Sequence, residues 1–136
     1  MELKFSVEGG DFTQAGQASS RVKKVLKQLG VDPKCIKSIV IALYEAEVNV
    51  VAHAYRGQIR IQIEKDQIAT TIEDEGPGIP DIGLAMQEGF STASKKVREM
   101  GFGAGMGLPN MKKNTDKLQI DSVVGKSTTV RMINYF

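Results

Sequence analysis

The chain lacks most of what would place a protein outside the cell, in a membrane or on nucleic acid. Its single cysteine, Cys35, has no intrachain partner for a disulfide. No positively charged and then apolar segment opens the chain as a secretion signal would. These two absences give the expectation of a reduced, cytoplasmic setting. Cys35 stands where a helix is predicted to begin, which suits a packed structural thiol better than a reactive one. No apolar run approaches the roughly 18 residues that a membrane-crossing helix needs, so no membrane association is expected. Charge of one sign is missing as well: 18 lysines and arginines are interspersed with 16 acidic residues, for a net charge of +2. Nucleic-acid binding leaves a basic stripe or block, and without one no nucleic-acid partner is expected. Internal repeats, low-complexity tracts and domain linkers are also absent.

What is present is the balance of one globular domain spanning residues 1–136, with 41% apolar and 25% charged residues. Leu3 to Val7 alternates apolar and polar residues before Gly9-Gly10, as a half-buried edge strand does. Ala15 to Leu29 sets Ala18, Val22, Val25, Leu26 and Leu29 on one stripe, predicting an amphipathic helix closed by Gly30. From about Pro33 to Ala54 the apolar residues again recur at helical spacing, giving the longest predicted helix. The period then drops to two: Ile59, Ile61 and Ile63, a turn at Asp66, and Ile68 to Ile72 predict a hairpin. Residues 74–107 are long, irregular and punctuated by glycine, and loops of that length tend to carry function. Leu108 to Asp116 reads as a helix with Pro109 in its first turn, and strands follow at about Lys117–Val123 and Thr128–Tyr135. Runs of helix beside antiparallel strands predict an α+β fold, a two-layer sandwich with helices on one face of a sheet.

Several groups of residues in this frame carry chemistry. Glu45 and Asn49 are four apart on the long helix, so a carboxylate and a carboxamide are neighbours on one face. Magnesium takes hard oxygen ligands and keeps several waters, so one Asn carbonyl with nucleotide phosphates suffices to hold it, leaving Glu45 to accept a proton. A solvated helix face is the plainer reading of such a pair, and is the one expected for Glu47. His53, one turn beyond Asn49, fits a packed or capping imidazole as well as a site residue. Asp74 closes a predicted strand before Glu75-Gly76-Pro77-Gly78-Ile79-Pro80. Its carboxylate can accept a hydrogen bond from the exocyclic amine of adenine, while Gly76 and Gly78 let backbone approach the ring; the composition is also that of an ordinary turn. Gly101, Gly103, Gly105 and Gly107 precede a helix at intervals of two, where backbone N–H groups can wrap anionic oxygens or simply form a flexible loop. Their spacing is not the Rossmann fingerprint. Lys95, Lys96, Arg98, Lys112 and Lys113 flank them, either to balance a triphosphate or as solvated surface. Gly125-Lys126-Ser127-Thr128 is not a P-loop: Ile120 stands where that motif needs glycine, and a strand follows rather than a helix.

Taken in order, Glu45-x-x-x-Asn49 with His53, Asp74-x-Gly76-x-Gly78, Gly103-x-Gly105-x-Gly107-Leu108 and Gly125-x-x-Thr128-Thr129 resemble the four boxes of the gyrase, heat-shock chaperone, histidine kinase and MutL superfamily. The resemblance runs from about Ile36 to Val130 and implies a Bergerat ATP-binding fold, with a mixed, mostly antiparallel sheet. The shortness of the chain, the lack of a phospho-accepting histidine segment and the run Gly105 to Lys113 with Asp116 look like the anti-sigma-factor serine/threonine kinases of partner switches. That likeness implies ATP and Mg2+ as cofactors, Glu45 as base, Asn49 as magnesium ligand and Asp74 as reader of adenine. It implies that Gly76, Gly78, Ile79 and His53 line the nucleotide site and that Thr128 helps hold Asp74 and the base through water. Gly103, Ala104, Gly105, Met106, Gly107 and Leu108 would cradle phosphates, with residues 81–102 as a lid. The implied substrate is a small regulatory protein, a STAS-type antagonist or scaffold; a sigma factor, a phosphatase and a second copy of the chain are the other partners it allows. Two further readings stay open: an ATP-binding anti-sigma module with little catalysis, and a detached histidine-kinase catalytic domain. One position departs from the pattern, since the last box usually has a second glycine where Ser127 stands.

Overall fold

A computed structural model describes residues 1–79, 82–86 and 107–136. The chain runs through β1 (Glu2–Glu8), a 3₁₀ turn (Phe12–Gln14), α1 (Gln17–Gln28), α2 (Pro33–His53), β2 (Arg56–Ile63) and β3 (Gln67–Glu75). It continues through a short α3 (Ile82–Ala85), α4 (Gly107–Lys113), β4 (Lys117–Val123) and β5 (Ser127–Tyr135). The five strands form one sheet in the order β1-β2-β3-β5-β4, with β1 at an edge as its alternation predicts. Among the described residues every pairing is antiparallel, where the resemblance implied a mixed sheet. The reason is topological. The chain leaves β3 and returns as β4 on the outer edge, and β5 then folds back as a hairpin arm between them. β3 and β4 therefore run the same way but never touch.

Alternation decides which face of the sheet is dry. Ile59, Ile61 and Ile63 of β2, Ile68 and Ile72 of β3, and Val130 and Met132 of β5 point to the helical layer. There they join Val22 and Leu26 of α1, Ile39, Leu43, Val50 and Val51 of α2, and Leu108 and Met111 of α4 in one core. Each such side chain contributes roughly 1.5–3 kcal/mol by leaving water. The other face is polar, with ion pairs between Arg60 and Glu73 and between Arg131 and Asp121.

Helix ends depart from periodicity where side chains intervene. α1 starts two residues later than its apolar stripe suggests, because Gly16 takes a left-handed φ of 98° as the residue before the helix. α2 begins where Asp32 accepts from the Lys34 N–H at 2.8 Å, with Pro33 in the first turn. α4 stops at Lys113, short of Asp116. The Asn114 side chain donates to the Asn110 carbonyl at 2.9 Å, and the Thr115 hydroxyl to that of Met111 at 2.8 Å. Such local bonds compete with further helix.

Candidate active site

α2 is the spine of the site, because its faces meet different elements. Glu45 and Asn49, both half-buried, turn toward α4. The Asn110 side-chain amide donates to Glu45 Oε1 at 3.2 Å, which leaves Oε2 on the side of Gly107. A Cβ placed on Gly107 would lie 3.5 Å from Asn49 Oδ1 and 3.6 Å from Glu45 Oε2. Those are ordinary contacts, so the fold alone does not demand glycine there. The missing side chain instead leaves space directly against two oxygens suited to a hard cation or an attacking hydroxyl. Asn49 is half-buried, and among the described residues nothing hydrogen-bonds its amide. Asn110, to which the sequence assigns no role, stands one turn after Gly107 on the face of α4 toward α2.

Glu47 corrects an expectation. It is not on a solvated face but 1% exposed, and accepts from the backbone N–H groups of Gly16, Ala18 and Ser19 at 2.9, 3.1 and 3.2 Å. A helix's first N–H groups have no partner within the helix, and this carboxylate from α2 supplies one. Glu45 and Glu47, two positions apart, thus face α4 and α1 respectively.

Eight residues after Glu45, about 12 Å along the axis, α2 ends beside the glycines that follow β3. A Cβ on Gly76 would lie 3.0 Å from Ala54 Cα and 3.5 Å from the His53 carbonyl. Burial lowers the pKa of the His53 imidazole, which favours its neutral form. Asp74 Oδ1 accepts from the Thr128 N–H at 3.1 Å, its opposite number in the β3–β5 register. Burial raises the Asp74 pKa and that backbone hydrogen bond partly offsets it. Among the described residues no donor reaches Oδ2.

The loop beyond Asp74 is clamped to the β4–β5 hairpin. Gly78 has φ +76°, and a Cβ there would fall 2.7 Å from the Val123 carbonyl oxygen, so glycine is required. The Ile79 N–H donates to Ser122 Oγ at 2.7 Å, and Gly125 N–H to the Pro77 carbonyl at 2.8 Å. Ser122 was not singled out by the sequence, being one small polar residue on an edge strand. Ser127, the departure from the last box, has ordinary strand backbone: among the described residues no non-glycine has positive φ.

The remaining candidates divide. Leu108 is buried in the core, so what it can offer a ligand is its backbone. Lys112 and Lys113 lie in the last turn of α4, exposed and at the end away from Gly107. Gly103, Ala104, Gly105, Met106, Lys95, Lys96, Arg98 and the lid other than residues 82–86 lie outside the described residues. Among the described residues there is no group of three or more His, Cys, Asp or Glu side chains placed to hold a metal. The carbonyl oxygen of Asn49 fits a magnesium ion that would take its other ligands from phosphate and water.

Comparison with known proteins matches the amino-acid sequence to a family. The model of the histidine kinase-like ATPase domain matches residues 10–134. The chain is 34% identical over 117 residues to the serine/threonine-protein kinase RsbT of Bacillus subtilis, covering 83% of this chain and 82% of that protein. It is 35% identical over 140 residues to the anti-sigma F factor of Caldanaerobacter subterraneus subsp. tengcongensis, covering 99% and 92% of the two chains. Its fold is similar to a chain of the SiaB-SiaC complex from Pseudomonas aeruginosa, with a TM-score of 0.66 at 13% identity over 96% of this chain and 88% of that one. The RsbU and RsbW domains of a Mycobacterium tuberculosis protein give 0.65 at 15% identity, over 98% of this chain and 31% of that longer one.

Proposed function

Since this chain belongs to the histidine kinase-like ATPase domain family, we propose that it is an ATP-dependent protein serine/threonine kinase of a partner-switching system. Its substrate in this reading is a hydroxyl on a small antagonist or scaffold protein. The relatives named a serine/threonine-protein kinase and an anti-sigma F factor support it, since the chain covers most of each. The observation that carries the chemistry is the meeting of Gly107 with Glu45 and Asn49, under the Asn110 bond that fixes Glu45.

ATP bound with Mg2+ supplies the phosphoryl group to be transferred. The residues of the chain then have separable roles. Asp74 offers an acceptor oxygen to the exocyclic amine of adenine, and Gly76 and Gly78 keep the backbone beside it free of side chains. Asn49 Oδ1 is the ligand for magnesium. Glu45 Oε2 takes the proton of the attacking serine or threonine hydroxyl, while Asn110 holds the other oxygen and so the orientation of the carboxylate. This acid–base role favours a kinase over a pure binding module, which has no use for a base there.

Glu45→Gln tests the reading, because it keeps the shape and removes the basic oxygen. A positioned general base contributes about 10²–10⁴ in rate, so transfer to the partner should fall by that factor while ATP affinity, measured by calorimetry, changes little. Asn49→Ala should weaken magnesium-dependent binding and transfer together. Transfer by Glu45→Gln within about threefold of wild type would remove Glu45 as the base. Nucleotide-dependent capture of a protein with no phosphorylated product would leave the binding-module reading.

A further inference from the structure

Asp74, Thr128 and Ser122 sit opposite one another on β3, β5 and β4, in one row across the sheet on the helical side. Ser122 has the more crowded of the two hydroxyls. It lies 2.7 Å from the Ile79 nitrogen, 3.1 Å from the Ser127 carbonyl oxygen and 2.9 Å from Thr128 Oγ1. A serine hydroxyl has one proton to donate and two lone pairs to accept with. The Ile79 N–H only donates, so it takes one lone pair. The Ser127 carbonyl only accepts, so it takes the proton. What remains on Ser122 is one lone pair, and the Thr128 hydroxyl can satisfy it only by donating.

From this we infer that Ser122 is a specificity-determining positioning residue: it draws the Thr128 proton away from the base pocket and makes Thr128 Oγ1 an acceptor there. The inference rests on the nucleotide reading above and extends it. With the Thr128 proton committed to Ser122, the row presents the Asp74 carboxylate and the Thr128 oxygen lone pairs, and no side-chain donor. Such a pair suits a ligand edge that offers protons, as an exocyclic amine does directly or through a bridging water. A 6-oxo group offers only lone pairs and meets acceptors unpaired. The contact of Ser122 with Ile79 is equally specific. Gly78 lacks the Cβ that would stand 3.0 Å from Ser122 Oγ, and this lets the loop close on that hydroxyl.

The test compares ATP with inosine triphosphate (6-oxo) and purine riboside triphosphate (unsubstituted at C6) by direct binding to wild type, Ser122→Ala and Ser122→Thr. Wild type should prefer ATP to inosine triphosphate by about 10–100-fold, the consequence of unpaired acceptors. In Ser122→Ala the Thr128 proton is free to turn into the pocket and meet the 6-oxo oxygen, so the preference should shrink about tenfold. Ser122→Thr keeps the hydroxyl and should restore it. Thr128→Val, which removes the switched group itself and leaves Ser122 its bonds to Ile79 and Ser127, should also narrow the preference. If Ser122→Ala weakens all three nucleotides equally, or if Thr128→Val leaves the preference intact, Ser122 is only a structural clamp and the inference fails. A wild type that binds none of the three overturns the nucleotide reading and this assignment with it.

Discussion

Asp74 is held where a carboxylate is disfavoured, since burial raises its pKa and the Thr128 N–H offsets only part of that. A folded pKa above the unfolded 3.8 means that the native state binds the proton more tightly, so this group loses stability as pH rises from about 3.8 through the raised value. At neutral pH the ionised carboxylate therefore works against the fold. Asp74→Asn should leave the ligand-free melting temperature at pH 7 equal to or above that of wild type, while ATP no longer raises it. A marked fall in the ligand-free value would contradict that account. His53 has the opposite dependence. Its pKa is lowered from 6.5, so the native state resists protonation and stability is lost as pH falls through about 6.5 toward the lowered value. His53→Gln should shrink the drop in melting temperature between about pH 7.5 and 5.5 relative to wild type.

The start of α1 depends on a residue of α2. With Glu47 accepting from three N–H groups, Glu47→Gln keeps the size of the side chain but turns an NH2 toward donors. It should cost about 1–3 kcal/mol in denaturant unfolding. A loss under about 0.5 kcal/mol, the range of ordinary surface substitutions, would mean that water replaces the cap. The loop after β3 is tied to the β4–β5 hairpin in a comparable way. Gly78→Ala meets both a positive φ and a carbonyl oxygen 2.7 Å from the new Cβ. It should destabilise by about 1–3 kcal/mol, and the nucleotide site with it. Gly107→Ala is the contrast. Its Cβ has room in the ligand-free fold, so the melting temperature should hold while ATP affinity falls.

Glu45 and Asn49 in the C-terminal half of α2 and Asp74 and Thr128 on β3 and β5 belong to elements packed on a single core, so a nucleotide reaching both pairs should stabilise the domain as a unit. At 100 times its Kd, a ligand bound only to the native state adds about 2.7 kcal/mol. For a chain of this size that is a rise on the order of 10 °C in the melting temperature. ATP with magnesium should give such a shift and GTP much less. Equal shifts would sink the role of Asp74 as the reader of the base.

Much of this was legible before the fold was known, because it is local. Apolar spacing alone marked both long helices and all five strands, since a side chain's face follows from a period of 3.6 or 2 whatever else the chain does. The same rule set Glu45 beside Asn49. Relations between distant residues were not local and left no such trace. Asn110 reaches Glu45 across 65 positions, the Thr128 N–H reaches Asp74 across 54, and Glu47 reaches Gly16 across 31. Periodicity placed Glu47 on a polar face because it cannot see that α1 begins against that face. It left Ser122 anonymous because a serine on an edge strand acquires its meaning only when β5 folds between β3 and β4. The elements and their buried faces follow from short-range sterics and hydrophobic pattern; the site's hydrogen-bond order follows from the strand order, which packing chooses.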